Sequence, residues 1–580
     1  MDHASTPSKS GATALTGVTR CLQHIRVLAA LCVGIVLIMS ACIPFIQCHN
    51  VFRAVLASWQ AANREHVTAV NEVRGATQEL HNLQKQVAAL DAWRISSNQK
   101  LELEHKLQDL RGQYAALERE AQVMRQELFN LQYALAQEKH LPLDSPGWKP
   151  QAEQAKDIPE SLGCEKGNHI YDMCHVTGDV RIMRDGKRIV LLSDNPSLLG
   201  KTYHIQPHPR KFDEAIMRTD VSKIELSVQP TANALGLGKC VNMKPTTLPV
   251  LVFSVGGMIG NFVNDYSDVF LPLYQTAAKY RGEVVLHVID KAWWAVSNIE
   301  MIQAFSNYKV HVAAVDDFAD DAAKFMDCFY KVHIGLKSHL IFYDMINSQG
   351  HLDESLAGVK LRGFSDAVAA GMGLPTPLPS PVETAKKKPT LGILTKTGKR
   401  RLVNEKEVAA WAREAGFDVL VLDCDMHCTK TPWTDLVAMM RRMDVYLGVE
   451  GEEMMHALLM RPAAVVVQLM QYGTDGTFLG SHCKHVAHML ELSYVEWVAK
   501  LEDTNLLEVV KGDKTHPAVV DPRAVWGGKT SLGETPDAGL HAGLTYYHDL
   551  DVRIPKEEAL KIFASVKQLL VTPKPLKPWW

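Results

Sequence analysis

The stretch LGILTKTGKRRLVN, residues 391–404, gives the clearest indication of the fold class. A short apolar run, 391–395, is typical of a buried β-strand and leads into a loop rich in cations. Helical patterns follow at 405–415 and 433–443, and a late one spans 555–570. Similar apolar runs recur at 250–254, 284–289, 310–315, 419–423, 445–449 and 464–469. Because strands alternate with helices, we predict an α/β fold with parallel sheets covered on both faces.

Length and composition indicate the number and kind of domains. A chain of 580 residues is too long for one ordinary domain, and 47% hydrophobic with 22% charged residues is typical of globular protein. A formal net charge of −3 does not favour a nucleic-acid partner. A proline-rich tract within 375–389 is typical of a spacer. We therefore predict one α/β domain at 160–380, a second at 385–500, and a C-terminal extension with a closing helix at 501–580.

An uncharged segment, VLAALCVGIVLIMSACIPFI at 27–46, follows three basic residues near the N-terminus, Lys9, Arg20 and Arg26. A helix of about twenty residues spans about 30 Å, the thickness of a bilayer core. We predict a transmembrane anchor at 27–48, with a cytoplasmic tail at 1–26 and the rest of the chain lumenal or extracellular. The alternative is a cleaved signal peptide, whose apolar region is usually shorter.

A long segment without proline, 45–141, separates the anchor from the α/β region. Its apolar residues from Leu103 to Leu135 recur in alternating steps of four and three. This heptad spacing predicts a coiled-coil stem at 51–141 that joins two chains as a homodimer. The alternative is one amphipathic helix packed on its own globular domain.

Seven cysteines follow the predicted anchor, where an oxidising lumen would permit disulfides. An odd count leaves at least one thiol unpaired within the chain. Cys164 and Cys174 are the first pair that we expect, because a short loop between them closes at low entropic cost. The alternative for these two residues is a pair of buried free thiols.

Charged residues follow two of the predicted strands. The cations Lys396, Lys399, Arg400 and Arg401 suit a nucleotide diphosphate, although a solvated basic loop is the simpler explanation. After the strand at 419–423, the pair Asp423 and Asp425 could hold a divalent metal, and the adjacent His427 and Cys428 could suggest zinc. Such short patterns are common by chance, so we expect no metal site.

The segment GGMIGNFVNDYSDVFLPL, 256–273, combines glycines with acids. Gly256, Gly257 and Gly260 would let the backbone approach a ligand closely. Asp265 and Asp268 share a face if the segment is helical, and either could act as a general base for a hydroxyl nucleophile. From the residues alone, helix capping and solvation explain these acids at least as well.

Several segments match one family in order. CEKGNHIYDMCHVTGDVR, 164–181, is similar to its Cys…Asp-x-Cys…Gly-Asp-Val-Arg opening, and YHIQPHPRKF, 203–212, to its Pro-x-x-Arg-Lys signature. Residues 252–273 are similar to its glycine-rich stretch and Asp-containing helix. Further matches follow at 290–294, 328–339, 396–404, 445–451, 516–517 and 551–553. Together these nine motifs, which cover most of 160–570, resemble glycosyltransferase family 61 in its plant-type branch.

This resemblance implies a GT-B fold, with two Rossmann-like domains and a cleft between them. It implies inverting transfer of a sugar from a nucleotide donor, without an essential metal or other cofactor. Plant-type members add xylose or arabinose to xylan and related wall polysaccharides, so we expect UDP-xylose or UDP-arabinose as donor and a glycan as acceptor. Animal-type relatives add N-acetylglucosamine to proteins or glycans, which is one alternative activity. An anchor and a stem suit a single-pass type II Golgi membrane protein with a lumenal catalytic domain.

The resemblance also implies roles for individual residues. A carboxylate, Asp265 or Asp268, would take the proton of the acceptor hydroxyl, which then attacks the anomeric carbon opposite the leaving diphosphate. Lys396 and Arg400, with the helix start near Gly451, would offset charge on the diphosphate. The other nucleotide-sugar-binding residues are expected to be Gly257, Asn261, His339 and Glu450.

Two positions depart from the family pattern. Asn264 stands where the family commonly has histidine, directly before Asp265. Glu450 stands where the family has the histidine of Gly-x-His-Gly-Ala-Gly, and acids replace the small residues that follow Gly451. Negative charge beside a diphosphate weakens its binding. The second hypothesis is therefore a catalytically silent relative that binds glycan or assembles with an active transferase.

Overall fold

In a computed structural model of the chain, the apolar run of the stretch 391–404 is a buried strand, Thr390–Thr395. The strands before it are β1 (Ser161–Glu165), β2 (Met173–Met183), β3 (Arg188–Leu192), β4 (Thr202–Ile205), β5 (Ile224–Gln229), β6 (Lys239–Met243), β7 (Val250–Phe253), β8 (Val285–Val288), β9 (His311–Val312) and β10 (Phe325–Ile334). From Thr390 onward they are β11 (Thr390–Thr395), β12 (Asp418–Asp423), β13 (Val445–Val449), β14 (Val465–Met470) and β15 (Ser493–Val498).

The structure describes only part of the chain. The described residues are 159–166, 170–183, 185–237, 239–243, 248–313, 325–338, 363–376, 388–424, 428, 431–475, 482–484, 486–487, 490–526 and 542–573. The chain divides into two compact units, Met1–Leu131 and Gln132–Trp580, and all of these residues belong to the second. The predicted tail, anchor and stem lie outside the described residues and stay predictions. Among the helices that the structure does describe, none combines the length and apolarity needed to span a bilayer.

The second sheet of the unit is fully parallel. Its order is β12-β11-β13-β14-β15, and every neighbouring pair runs in the same direction. The helices Glu405–Glu414 and Lys556–Val571 pack on one face, while Trp433–Arg442 packs on the other. Since both faces are covered, all six residues of β14 are buried. The predicted parallel, doubly covered sheet is confirmed here.

The first sheet differs from the prediction because it is mixed. Its order is β4-β5-β3-β2-β10-β7-β8-β9, with β1 paired to β2 and β6 paired to β10. The strands β7, β8 and β9 are parallel, as expected, but β2 pairs antiparallel with β1, β3 and β10. The expectation of purely parallel sheets is therefore wrong for this half. The strands β1–β6, β10 and β15 were not among the predicted apolar runs, since several of them alternate buried with more exposed residues.

Helices connect the strands of both sheets. The α-helices are Glu214–Thr219, Ala234–Leu237, Phe262–Asn264, Leu271–Ala277, Ala292–Ser297, Ile299–Gln303, Phe364–Gly371, Glu405–Glu414, Trp433–Arg442, Leu506–Val509, Pro517–Val520, Pro522–Trp526 and Lys556–Val571. Two π-turns occupy Asp265–Phe270 and Leu544–His548. The 3-10 helices are Thr231–Asn233, Ala278–Tyr280, Glu452–Leu459 and Leu501–Asp503. The predicted helices at 405–415, 433–443 and 555–570 are confirmed within a residue or two.

One hydrophobic core joins the two sheets within this unit. Phe270 from the first half lies 5.6 Å, centroid to centroid, from the Trp433 ring of the second half. Tyr266 and Phe364 belong to the same cluster, as does Met440 on the helix Trp433–Arg442. Ring pairs of this kind bury large areas and pack edge to face. The carboxyl ends of the two parallel strand sets are therefore held in a defined mutual position. The proposed boundary between 380 and 385 stays a prediction.

The first expected disulfide is present. Cys164 on β1 and Cys174 on β2 are bonded to each other, and they face one another in the antiparallel register of the two strands. Their Cα atoms are 4.1 Å apart. A second disulfide joins Cys424 and Cys428.

Candidate active site

The candidate site lies at the carboxyl ends of parallel strands, where open α/β sheets bind their ligands. In the second sheet Lys396 directly follows β11, and Glu450 directly follows β13. In the first sheet the glycine-rich loop begins at Ser254, directly after β7. Both sheets therefore contribute residues from the same kind of edge.

The glycine-rich loop requires glycine at two positions. A Cβ at Gly256 would lie 2.1 Å from the carbonyl oxygen of Asp220, which no side chain tolerates. Gly257 has φ +82°, and a Cβ there would lie 2.9 Å from Cε1 of the buried His208 ring. Asn261 then caps the helical segment that follows, since its side chain accepts a hydrogen bond of 3.0 Å from the amide two residues on.

The helical segment that carries both acids contains the π-turn Asp265–Phe270. It lies between the short α-helices Phe262–Asn264 and Leu271–Ala277, and all six residues of the π-turn are buried. Single π-turns inside helices occur frequently at functional sites. The segment therefore presents its acids from a buried, locally widened helix.

Asp265 has the features of a general base. Its Oδ1 accepts hydrogen bonds from the Gly260 amide at 2.8 Å and from Trp294 Nε1 at 3.0 Å. Within the described residues its second oxygen, Oδ2, has no hydrogen-bond partner, and the residue is only 4% exposed. Burial raises the pKa of Asp265 to about 7. The two hydrogen bonds oppose this rise, and the nearby Glu452 carboxylate adds to it. A carboxyl with this pKa can accept a proton near neutral pH.

Asp268 is occupied by partners within the protein. Its Oδ2 lies 2.6 Å from Arg210 Nη1, and its Oδ1 accepts a hydrogen bond of 2.8 Å from Ser267 Oγ. Arg210 Nη1 also lies 3.4 Å from Asn264 Oδ1, which places Asn264 and Asp268 on one face of the segment. Burial raises the pKa of Asp268, and the Arg210 guanidinium offsets part of that rise. Asp268 is thus suited to hold Arg210 in place, and Asp265 is the better placed base.

The structure separates the four cations of the stretch 391–404 into two pairs. Lys399 and Arg401 are directed toward the C-terminal segment, where they bond to Asp549 and Asp551, and both are largely exposed. These contacts fix the loop on the rest of the unit. Lys396 and Arg400 are instead largely buried, with side chains 7% and 16% exposed. Only this inner pair is placed to meet a ligand at the strand ends.

Acids of the 3-10 helix Glu452–Leu459 contact the inner cations. Lys396 Nζ lies 2.8 Å from Glu453 Oε2, and Arg400 Nη2 lies 3.9 Å from Glu452 Oε1. Although burial opposes ionisation, Lys396 holds the pKa of Glu453 below its ordinary value. Burial lowers the pKa of Lys396, and Glu453 acts against that shift. The acids that replace small residues of the family motif therefore neutralise the cations from within the chain.

Glu450 and Gly451 lie beside this ion-pair cluster. Glu450 is buried, hydrogen-bonded to the Gln468 side chain, and burial raises its pKa to about 8. It is therefore largely uncharged at neutral pH. A Cβ at Gly451 would lie 2.9 Å from Lys396 Nζ and 3.3 Å from Arg400 Nη1, so the glycine lets the backbone approach both cations.

Glu452 connects the two halves of the site. Its Oε2 accepts a hydrogen bond of 2.8 Å from the Phe262 amide, at the start of the helical segment that carries Asp265. Its other oxygen is the one near Arg400. The acid-bearing helix of the first half and the inner cations of the second half thus meet at one carboxylate.

The structure brings together most of the predicted site residues. Asp265, Asp268, Lys396, Arg400, Glu450 and Gly451 lie at the meeting edges, with Gly257 and Asn261 in supporting loop and cap positions. His339, Asp425 and His427 lie outside the described residues. Sequence reasoning assigned no role to His208 or Arg210, although both lie in the quoted motif YHIQPHPRKF. The motif YHIQPHPRKF was the sequence signal that could have identified these two residues.

A cavity of about 910 Å³ lies in the second half of the unit. It lies at the carboxyl ends of β14 and β15, and Gln471, the residue before its lining begins, donates a hydrogen bond of 3.2 Å to the carbonyl oxygen of Glu450. Its lining includes Tyr472, Lys500, Arg523 and Trp526. Aromatic and charged groups of this kind suit a planar or polar ligand.

Similarity to known proteins gives an independent result. No family model matches the chain. A xylan glycosyltransferase of Arabidopsis thaliana is 25% identical over 378 residues, which is 63% of this chain and 73% of the relative. An alpha-1,3-arabinosyltransferase and a beta-1,2-xylosyltransferase of Oryza sativa subsp. japonica are 26% and 28% identical. These two alignments cover 60% and 61% of this chain, and 56% and 59% of the relatives, so they span less than two thirds of either rice protein.

All of these relatives carry names of plant xylosyl-, arabinosyl- or xylan glycosyltransferases. They agree with the plant-type branch that the ordered motifs indicated. The chain is therefore a homologue of the plant xylan xylosyl- and arabinosyltransferases, and its resemblance to glycosyltransferase family 61 is confirmed.

Proposed function

We propose that this protein is an inverting glycosyltransferase that moves xylose or arabinose from a UDP-sugar to xylan or a related glycan. The observation that carries the proposal is Asp265, a buried carboxylate with one unoccupied oxygen and a pKa of about 7, near a cation pair at strand carboxyl ends. The named activities of the plant relatives supply the substrate class.

In the proposed reaction each group has one task. Asp265 Oδ2 takes the proton from the acceptor hydroxyl, whose oxygen forms a bond to the anomeric carbon. The bond from that carbon to the diphosphate breaks on the opposite face, which inverts the configuration. Lys396 and Arg400 would offset the charge that develops on the diphosphate, and the cavity beside Tyr472 would receive the nucleoside. This scheme uses no metal.

The direct test is an assay of the purified protein with UDP-xylose, UDP-arabinose and UDP-N-acetylglucosamine against xylan oligosaccharides. We expect a pentose product with the anomeric configuration opposite to that of the donor, which nuclear magnetic resonance of the product measures. Transfer of N-acetylglucosamine alone would replace the substrate class with that of the animal-type relatives.

A specific observation favours a second candidate, a catalytically silent glycan-binding or complex-assembly subunit. Glu453 and Glu452 already occupy the space around Lys396 and Arg400, where a diphosphate would place its charge. Calorimetry with the same nucleotide sugars separates the two candidates, because the silent subunit would bind no donor.

The replacement Glu453→Gln tests how far this carboxylate competes with donor. Removing its charge frees Lys396 for the diphosphate, and one charge-assisted hydrogen bond contributes about 1.5–3 kcal/mol. We expect the Kd for the donor, measured by calorimetry, to fall by about tenfold. Glu557→Gln, on the exposed first turn of the helix Lys556–Val571, is the matched control and should leave the Kd unchanged. Weaker binding by Glu453→Gln would show that Glu453 positions Lys396 for the donor instead.

We also propose that the chain is a type II Golgi membrane protein that dimerises through the stem at 51–141. The heptad spacing from Leu103 to Leu135 supports dimerisation through the stem. Sedimentation should give a dimer for the chain with residues 51–141 and a monomer for the chain without them. A monomer with the stem present would contradict the proposal.

A further inference from the structure

A compact group of soft donor atoms lies next to the helical segment that carries Asp265, and the proposed reaction does not use it. Cys424 directly follows β12, Cys428 lies one turn later, and His456 lies on the 3-10 helix Glu452–Leu459. All three are buried, and one ligand atom from each lies within 4.8 Å of the other two. Within the described residues this is the one grouping of three possible ligands with metal-binding spacing.

His456 has a nitrogen without a partner. The residue has no exposed surface, and its Nε2 makes no hydrogen bond, while its Nδ1 lies 3.1 Å from the Tyr266 hydroxyl. A buried polar atom that bonds to nothing is costly, and its presence in a packed core calls for an explanation. If Nδ1 donates its hydrogen to Tyr266, the lone pair of Nε2 is free for a metal.

The donor set determines which metal would bind. Thiolate sulfur and imidazole nitrogen are the usual ligands of zinc in structural sites, whereas the hard cations prefer oxygen. Tetrahedral coordination at about 2.3 Å for sulfur and about 2.0 Å for nitrogen requires donor atoms about 3.5–3.8 Å apart. The 4.8 Å limit on these atoms is compatible with that spacing after small side-chain rotations. The Phe262 and Trp433 rings pack around His456 and exclude water from it.

The disulfide between Cys424 and Cys428 decides when these sulfurs are available. We propose that reduction of this disulfide creates a zinc site whose protein ligands are Cys424, Cys428 and His456. A phosphine or dithiol reductant supplies two electrons, the S–S bond breaks, and two protons from water give two thiols. Zinc then displaces the two thiol protons as it binds the sulfurs and the imidazole. The oxidised chain holds its disulfide and binds no zinc here.

Cobalt(II) is the probe for this site because it replaces zinc and its thiolate complexes absorb light. The full chain, purified in detergent, is titrated with Co²⁺ before and after anaerobic treatment with a phosphine. We expect a sulfur-to-cobalt charge-transfer band, at about one equivalent of Co²⁺, in the reduced chain alone. Added Zn²⁺ should remove the band.

Variants assign the band to these ligands. The double variant Cys424→Ser/Cys428→Ser should lose it, and His456→Asn should weaken Co²⁺ binding by at least about tenfold while keeping part of the sulfur band. Cys483→Ser is the matched control, since Cys483 is a buried free thiol, and it should bind Co²⁺ normally. Circular dichroism of each oxidised variant checks folding. A band of equal strength in the double variant, or no band in the reduced chain, would overturn the proposal.

Discussion

Replacing Asp265 by asparagine is expected to lower kcat by about 10²–10⁴, the usual contribution of a general base. Asparagine retains an oxygen for the Gly260 amide and for Trp294 Nε1, so the loop and the helical segment keep their hydrogen bonds. It cannot take a proton, because an amide does not titrate. Donor affinity should change little, since the inner cations are untouched. A loss of less than tenfold in an active preparation would place the base elsewhere.

The pH dependence of the unmodified protein provides a second test of Asp265 as the general base. Because the base must be ionised and its pKa is about 7, kcat/KM should fall about tenfold per pH unit below pH 7 and level off between about pH 7 and pH 8. Above about pH 8 Glu450 ionises beside the inner cations, so KM for the donor should rise there. The Asp265→Asn variant should lose the lower limb and keep the upper one.

Stability measurements separate loss of the base from loss of folding. The folded pKa of Asp265 lies above its ordinary value of 3.8, so the folded state holds the proton more tightly than the unfolded state. The stability contributed by this group is therefore lost as pH rises from about 4 to about 7. Because asparagine does not titrate, Asp265→Asn removes this pH-dependent loss of stability. The variant should be at least as stable as the original chain at neutral pH, by thermal unfolding.

Asp268→Asn is expected to have the largest effect on stability. The change removes the negative charge that lies 2.6 Å from Arg210, which is 4% exposed and cannot lose its proton. Asp213 Oδ2, at 3.6 Å from Arg210 Nε, is too distant and too exposed to replace it fully. Removing one partner of a buried ion pair costs about 3–5 kcal/mol. We expect a loss of that size in the free energy of unfolding, measured by urea denaturation.

The control for this change is Asp179→Asn. Asp179 is 47% exposed and pairs with Arg181 at 3.2 Å, so the same substitution removes an ion pair near solvent. Such pairs contribute about 0–1 kcal/mol. Equal losses of unfolding free energy in the two variants would show that burial does not increase the contribution of the Asp268–Arg210 ion pair to stability. If Asp268→Asn lowers kcat, thermal unfolding at the assay temperature decides whether the folded fraction explains it.

Elements whose signal is local could be predicted from the order of the amino acids. The apolar runs that became β7, β11, β13 and β14 are largely buried on both faces, so each is visible as an unbroken hydrophobic stretch. The helix Glu405–Glu414 shows its apolar face at helical spacing in the same way. The ordered motifs indicated the family, and they indicated Asp265, Lys396 and Arg400 as candidates. Each of these features depends on residues close together in the chain.

The partners of those residues depend on how distant segments of the chain pack together. Asp268 meets Arg210 58 residues away, and Lys396 meets Glu453 57 residues away. The sequence could not distinguish Lys396 from Lys399, which lie three positions apart, although one is buried against an acid and the other is largely exposed. Periodicity reports which face of an element is apolar and carries no information about which distant element will cover it. The partners, the burial and therefore the pKa of each site residue depend on which element packs over it, and this packing exists only in the folded protein.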